Sequence, residues 1–192
     1  MIKRFLGSLV LGSILLTTSF SLNLFADVNL GILATGQTVS YQSGDDGDYQ
    51  RGIKRSFTRD DTKQIVTDNV TGLIWQDEPY NETIDGDYYW ESTPNGKLQT
   101  WEGAKSYCST LSFANSSDWR LPTVKELLSI VDNSKNNPAI FDGFENIKSS
   151  AYWSSQEYKE SSSYAWGVDF GSGYSGYGKS DTFYVRCVRG GQ

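Results

Sequence analysis

The sequence predicts an α+β fold in which short strands surround two capped helices. Three patterns support this prediction. Short apolar runs separated by turn residues occupy positions 65–75, apolar residues recur at helical spacing over 100–111 and 123–131, and a period of two runs through 164–170. We expect these elements to form one domain, residues 65–192.

Both predicted helices have recognisable N-termini. Thr100 can cap the first helix, whose core-facing residues are Trp101, Ala104, Cys108 and Leu111. Thr123 and Glu126 have the spacing of a capping box at the start of the second helix. This helix should end near 133–137, before Pro138.

Strands are predicted on both sides of the helices. Residues 65–66 and 73–75 indicate two short strands joined by a tight turn. In the last third, alternation predicts a half-buried strand through Tyr164, Trp166, Val168 and Phe170. A terminal strand should present Phe183, Val185 and Cys187 on one face and Tyr184, Arg186 and Val188 on the other.

Residues 1–26 have the features of a secretory signal peptide. Lys3 and Arg4 are followed by an apolar stretch, residues 5–20, and Ala26 is a small residue before a cleavage point. Glycine and serine interrupt the stretch, so it is a poor membrane span, although an uncleaved anchor is the alternative. We therefore expect an exported protein, periplasmic or at the cell surface, without membrane insertion after cleavage.

Residues 27–64 form a Gly-, Ser- and Asp-rich segment with few large apolar side chains. Such a segment cannot build a core of its own. We expect an extended arm, or an edge hairpin packed on the domain, with partial disorder near residues 43–52.

Composition excludes several classes of function. The 192 residues include no histidine, so Ser-His-Asp and Cys-His catalysis and histidine-ligated metals are absent. The net charge is −6, and losing Lys3 and Arg4 with the signal peptide makes it −8. An acidic chain without a basic run does not favour nucleic acid. A binding module without catalytic residues or a cofactor is favoured over an enzyme.

The two cysteines, Cys108 and Cys187, most simply form one disulfide in an exported protein. The bridge would join the first helix to the last strand. A reactive or metal-binding pair is the alternative interpretation.

Five motifs occur in an order that resembles a known family. They are TDNVTGLIWQD (67–77), AKSYC (104–108), DWRLPTVKEL (118–127), YWSS (152–155) and YVRCVR (184–189). Together they resemble the exported bacterial family named after the C-terminal domain of the Legionella collagen-like adhesin, a family of unknown function. TGQTVSY (35–41) is similar to the leader segment of many members.

The resemblance implies a C-type-lectin-like fold: a small twisted antiparallel sheet, two helices, and a disulfide from the first helix to the last strand. In the named adhesin the domain is associated with trimer formation and with binding sulfated glycosaminoglycans. The scattered basic residues of this acidic chain favour an uncharged or weakly basic partner. A homo-oligomer is compatible with the resemblance.

No metal site is predicted. The Glu-Pro-Asn, Gln-Pro-Asp and Trp-Asn-Asp triplets of calcium-dependent lectins are absent. Two acidic groups could offer calcium ligands, but solvated turns need no ligand and are the favoured interpretation: Asp45, Asp46 and Asp48, and Asp85 and Asp87. Arg120 is interpreted as structural, stacked on Trp119 or bridging loop carbonyls, and Arg186 as a partner of Asp169 or Asp181.

The candidate ligand site lies in the loop region 138–181. Glycines around Tyr174 and Tyr177 can expose both rings, with Asp169 and Glu157 nearby in sequence. The alternative is a hairpin whose tyrosines pack on the sheet. The predicted function is an exported, non-enzymatic binding module that recognises a glycan or a surface protein. The alternatives are a carboxylate-based hydrolase acting on polysaccharide and a structural subunit of an envelope assembly.

Overall fold

The computed structural model describes residues 31–86, 96–171 and 177–191. These residues include two mainly antiparallel sheets and four helices. The strands are β1 (Phe57–Asp60), β2 (Ile65–Asp68), β3 (Leu73–Gln76), β4 (Leu98–Gln99), β5 (Ala151–Glu157), β6 (Tyr164–Asp169), β7 (Tyr177–Gly178), β8 (Phe183–Tyr184) and β9 (Val188–Gly190). The helices are α1 (Asp46–Tyr49), α2 (Glu82–Asp85), α3 (Trp101–Thr110) and α4 (Val124–Ser129). The mixed α+β class predicted from the sequence is confirmed.

The first sheet has the order β1-β2-β3-β9, and every neighbouring pair is antiparallel. The predicted β2–β3 hairpin is confirmed. Its turn is held by Asp68, whose Oδ1 accepts hydrogen bonds from the N–H groups of Val70 and Thr71, and by Gly72, at φ +73°. The edge strand β1 lies within the segment assigned to the arm, which also contains α1 and a bridge between Leu33 and Ile53.

The second sheet has the order β4-β8-β5-β6-β7. All of its neighbours are antiparallel except β5 and β8, which pair in parallel through Tyr152 and Tyr184. The chain passes from β8 in this sheet to β9 in the first sheet, so residues 183–190 connect the two. The sequence predicted one small sheet, and the structure divides the strands between two.

Both predicted helix starts are confirmed. Thr100 caps α3 by accepting from the Gly103 N–H, and Thr123 and Glu126 form a complete capping box at the start of α4. The predicted end of the second helix at 133–137 is wrong, because α4 ends at Ser129. Beyond it the Asp132 N–H donates to the Ala139 carbonyl, which turns the chain back.

Two apolar clusters form the core. The first is built around Trp75, Leu127, Val168 and Phe170. The second surrounds the disulfide and contains Trp101, Trp119 and Trp153. The bridge between Cys108 and Cys187 is confirmed, and both cysteines are fully buried.

Alternation along residues 183–188 is confirmed as well. Phe183, Val185 and Cys187 pack in the second cluster, and Tyr184 and Val188 in the first. Strand β6 departs from its predicted pattern, because Tyr164 is 49% exposed while Ala165 on the opposite face is buried. Both faces of β6 therefore meet a cluster, one on each side of the sheet.

Among residues 31–86, 96–171 and 177–191, no helix is both long and apolar enough to cross a membrane.

Candidate functional site

A cleft of about 270 Å³ opens between the residues that follow β3 and the loop 145–148. Tyrosine rings and ionisable groups line it together. The tyrosines are Tyr80, Tyr152 and Tyr184, and the charged residues are Glu78, Lys97, Glu145, Lys148 and Arg186.

The three tyrosines form the floor and one wall of the cleft. Tyr152 in β5 and Tyr184 in β8 are partners in the parallel pair, and their ring centroids are 5.4 Å apart. Tyr80, which follows β3, meets the Tyr184 ring edge-on at 5.3 Å. Because Tyr152 and Tyr184 are nearly buried, the floor belongs to the core and has a fixed position.

Arg186 lies behind this floor, with only 3% of its surface exposed. Its Nη1 donates to Asp77 Oδ1 at 2.5 Å and to the Gln76 carbonyl at 2.9 Å, and Nη2 donates to the Asn146 carbonyl. Its Nε is buried and has no hydrogen-bond partner among the described residues. The guanidinium therefore ties the loop 145–148 to the end of the first sheet.

Asp77 completes this connection. Its fully buried carboxylate accepts from Arg59 Nη1 and from the Glu145 N–H, the latter at 3.0 Å. Asn146 donates from Nδ2 to the Asp77 carbonyl at 2.7 Å. A buried carboxylate is stable only with such donors, so the loop that lines the cleft is held in place before any ligand arrives.

The charges around the cleft are balanced. Lys97 pairs with Asp85 at 3.2 Å and with Glu78 at 3.7 Å, and Arg59 pairs with Glu145 at 3.4 Å. Lys148 is exposed, with Nζ 4.7 Å from the centroid of the Tyr80 ring. The charged residues that line the cleft and the residues that form ion pairs with them include as many acids as bases. The acids are Asp77, Glu78, Asp85 and Glu145, and the bases are Arg59, Lys97, Lys148 and Arg186.

Burial raises the pKa of two phenols in and beside the cleft. For Tyr152, burial outweighs the opposing effects of the Arg186 charge and the Lys148 N–H, which donates to its hydroxyl at 2.9 Å. Burial also raises the pKa of Tyr107, whose hydroxyl accepts from Gln76 Nε2 at 2.9 Å. Both phenols are protonated at neutral pH and serve as hydrogen-bonding groups.

Of the four ligand residues predicted from the sequence, the three that the structure describes, Glu157, Asp169 and Tyr177, do not line this cleft. Glu157 and Tyr177 both oppose Ala165 and are therefore in register across β5, β6 and β7. Asp169 is four residues further along β6, about 13 Å away. Its Oδ1 accepts from a backbone N–H in the turn that follows the strand. Tyr174 lies outside the described residues.

The ring of Tyr177 packs on the sheet. Its centroid is 4.4 Å from that of Phe183 and 6.2 Å from that of Trp153. It lies over Gly167, where an added Cβ would come within 3.1 Å of the ring. The interpretation of a tyrosine packed on the sheet is therefore confirmed for Tyr177, and that of an exposed ring is not, because Gly167 leaves room for the ring. A role in binding for Tyr177, Tyr174, Asp169 and Glu157 stays a prediction.

Comparison with protein families adds the decisive observation. A family model for the Lcl C-terminal domain matches residues 64–189. The chain belongs to the Lcl C-terminal domain family. The resemblance drawn from the five motifs is thereby confirmed. A search of curated proteins finds no match. The matched residues include the whole lining of the cleft and both cysteines of this Lcl C-terminal domain.

Of the two expected contacts of Arg120 in this Lcl C-terminal domain, stacking on Trp119 is not observed, and Nη2 donates to one carbonyl, that of Gly190, at 3.4 Å. Its Nη1 and Nη2 donate to the two carboxylate oxygens of Glu126, at 2.8 and 2.6 Å. The capping box places Glu126 in the first turn of α4, within reach of the residues just before the helix. The structural interpretation of Arg120 stands, with a different partner.

The predicted pairing of Arg186 with Asp169 or Asp181 is also wrong. Strand β8 of the Lcl domain ends at Tyr184, and the chain then crosses toward the first sheet. Arg186 lies in this crossing and meets Asp77, which directly follows β3.

The aspartates considered as calcium ligands that the structure describes have partners within the chain: Asp46 accepts from the Thr35 hydroxyl and Asp48 from the Gly44 N–H. Asp45 caps α1 and accepts from the Tyr41 N–H at 2.7 Å, which lowers the pKa of its carboxyl. Asp85 pairs with Lys97, and Asp87 lies outside the described residues. In the part of the chain that the structure covers, no group of three metal-ligating side chains is close enough to hold an ion.

Sequence reasoning missed most of the cleft. Its loop 145–148 falls within the predicted region 138–181, but Tyr80 and Lys97 were not singled out. One signal was available. Alternation placed Arg186 on the same face as the apolar residues around it, and a charged side chain on a core-facing position requires a buried partner.

Proposed function

We propose that this chain is an exported, non-enzymatic binding module with a C-type-lectin-like fold, and that its cleft binds a glycan. The observation that carries the proposal is the cleft, in which three tyrosine rings meet paired charges of both signs. Family membership supports the fold, and the composition of residues 1–26 supports export.

The lining suits the two kinds of surface that a sugar presents. A pyranose has apolar C–H faces, which can lie on tyrosine rings, and a rim of hydroxyl groups. Lys148 can donate to these hydroxyls, and Glu78 and Glu145 can accept from them. The volume lies just below the roughly 300–1,000 Å³ of small-molecule sites, so the cleft fits one sugar residue of a chain.

The charge balance selects among sugars. Each carboxylate that lines the cleft pairs with a cation, at 3.7 Å for Glu78 and 3.4 Å for Glu145. A balanced site exerts little net field on a ligand. The cleft therefore favours an uncharged sugar over a sulfated one.

A glycan array followed by calorimetry tests the proposal. Tyr80→Ala removes the half-buried ring of the cleft wall and should weaken the array hit at least tenfold, about 1.4 kcal/mol. Tyr164→Ala removes a tyrosine that does not line the cleft and should bind like the wild type. Lys148→Gln, an exposed change, should weaken binding without lowering the melting temperature. Equal losses in the Tyr80 and Tyr164 variants would place the site elsewhere.

Turnover separates this proposal from a polysaccharide hydrolase. The wild type incubated with the array hit should release no product. Product formation that Glu145→Gln or Glu78→Gln abolishes would establish the hydrolase instead. Failure on every glycan, together with co-purification of an envelope protein, would favour the structural subunit.

Export and fold have their own tests. Mass spectrometry of the exported protein should find an N-terminus at Asp27, and retention of residues 1–26 would contradict signal cleavage. An experimental structure that superposes on C-type-lectin-like domains would establish the fold.

A further inference from the structure

A second cavity, of about 260 Å³, lies in the arm, and we call it the arm pocket. Residues 34–38 form one side, α1 and the residues after it form another, and the Phe141 ring contributes an apolar surface. Of its lining only Phe141 falls within the residues that match the family. The arm pocket therefore belongs to the segment that this chain adds before its family domain.

The arm pocket is positively charged although the chain is acidic. Arg51, Lys54 and Arg55 line it, and Asp46 is the one acid of the described lining. Among the described residues, none of these three cations forms an ion pair. Three positive charges and one negative charge give +2, against −6 for the whole sequence. Three cations that gather in a cavity with one acid favour an anionic ligand.

The guanidinium of Arg55 is fixed in position. Its Nε donates to the Ala34 carbonyl at 3.1 Å and its Nη1 to the Ser129 carbonyl, and its Cζ lies 5.3 Å from the centroid of the Phe141 ring. Burial lowers its pKa, against the opposing charge of Asp68. This half-buried guanidinium is therefore held by two neutral carbonyls and forms no ion pair among the described residues, although the charge of Asp68 acts on it.

The backbone of the arm fits closely against the domain at this point. Gly36 has φ +92°, and an added Cβ would come within 3.0 Å of the Phe141 ring. The Asn133 N–H donates to the Thr35 carbonyl at 3.1 Å. These contacts fix the position of residues 35–36 relative to the Phe141 ring.

We propose that the arm pocket binds a carboxylate carried on an aromatic or apolar group. Nε and Nη1 of Arg55 already donate to carbonyls, so Nη2 is the nitrogen that can donate to a carboxylate, beside the Phe141 ring. Lys54 and Arg51 add charge at the exposed edge. The Phe141 ring and the Ala34 methyl group contact the apolar body of the ligand. This site is separate from the glycan cleft and does not depend on it.

Benzoate is the probe, and benzamide is its uncharged isostere. Titration of the full chain, followed by NMR, should show saturable binding of benzoate at roughly millimolar concentration, as expected for a small fragment. Benzamide should bind at least tenfold more weakly. Raising the ionic strength should weaken the binding of benzoate and leave the binding of benzamide unchanged.

Three charge-removing variants localise the site. Arg51→Gln and Lys54→Gln alter exposed side chains without ion pairs among the described residues, and each should weaken benzoate about tenfold. Lys159→Gln removes an exposed lysine that does not line the pocket and should leave benzoate binding unchanged. Equal affinity for benzoate and benzamide, an equal loss in all three variants, or no saturation by benzoate would overturn the proposal.

Discussion

The ion pair of Arg186 and Asp77 determines the shape of the cleft surface, although very little of either side chain is exposed. Both side chains are buried, and removing two charges from water is unfavourable unless hydrogen bonds replace the lost hydration. The structure supplies these bonds from the backbone of Gln76, Glu145 and Asn146. The same bonds that stabilise the charges therefore determine the shape of the loop beside the cleft.

We predict that Arg186→Met lowers the free energy of unfolding by about 3–5 kcal/mol, because it leaves the Asp77 charge buried with one cation fewer. Urea unfolding measures the loss. Asp77→Asn in the same chain should restore part of it, since the uncompensated charge is then gone. Arg189→Met is the matched control, because Arg189 pairs with the exposed carboxylate of Asp118, and it should cost less than about 1 kcal/mol. Equal losses for the two arginines would contradict this role of the buried pair.

Single residues differ in how far the sequence could predict them. The pairing of Cys108 with Cys187 needed only two cysteines and an inward face at each. The partner of Arg186 depends on where the chain leaves one sheet for the other, which no local pattern encodes. Sequence alternation placed Arg186 on one face with Tyr184 and Val188, but it predicted neither the burial of Arg186 nor its pairing with Asp77.

At the scale of elements, α4 shows that a helix start is encoded more locally than a helix end. The capping box uses two side chains three residues apart, Thr123 and Glu126, and it forms as predicted. The end at Ser129 depends on the distant Ala139 carbonyl, which accepts the Asp132 N–H. Val131, whose helical spacing suggested a longer helix, is buried but lies beyond the last helical turn.

The cap also makes stability depend on pH. Burial alone would raise the pKa of Glu126, but the Arg120 guanidinium and the Thr123 N–H outweigh it and hold the pKa below its usual range. A carboxyl with a lowered folded-state pKa stabilises the fold above its unfolded pKa of about 4.5. That stabilisation is lost as the pH falls through the folded-state pKa.

We predict that Glu126→Gln is about 1 kcal/mol less stable than the wild type at pH 7. The difference should shrink progressively below pH 4.5, because the wild-type carboxyl is then protonated. Denaturant unfolding at several pH values measures it, with the exposed Glu160→Gln as a control. A difference that stays constant down to pH 2 would show that the charge of Glu126 is not responsible.

Strand pairing follows the same division between local and distant interactions. The β2–β3 hairpin was predictable, because its turn lies within the four residues that separate the strands. The parallel contact between Tyr152 and Tyr184 joins residues far apart in sequence, and it creates the cleft floor. The cleft therefore could not be predicted from local patterns, whereas the elements on either side of it could.

For the molecule as a whole, the disulfide joins α3 to the crossing between the two sheets, and its cysteines are 79 positions apart in the sequence. Both cysteines lie in the second core cluster among three tryptophans. The bridge restricts the unfolded chain over a long loop and leaves the packed state almost unchanged.

We predict that replacing Cys108 and Cys187 by serine lowers the free energy of unfolding by about 4 kcal/mol. Urea unfolding of the double variant measures the loss, and the wild type under reducing conditions should agree with it. Unchanged stability in both samples would mean that the unfolded chain is already compact without the bridge.

The passage of residues 183–190 between the two sheets has a consequence for the timing of folding. Strand β8 lies between β4 and β5, and β9 is the only neighbour of β3 on that side of the first sheet. Neither sheet can close until these residues have been synthesised. We therefore expect a ribosome-bound chain that stops before residue 183 to remain sensitive to protease, and the complete chain to become resistant after its release.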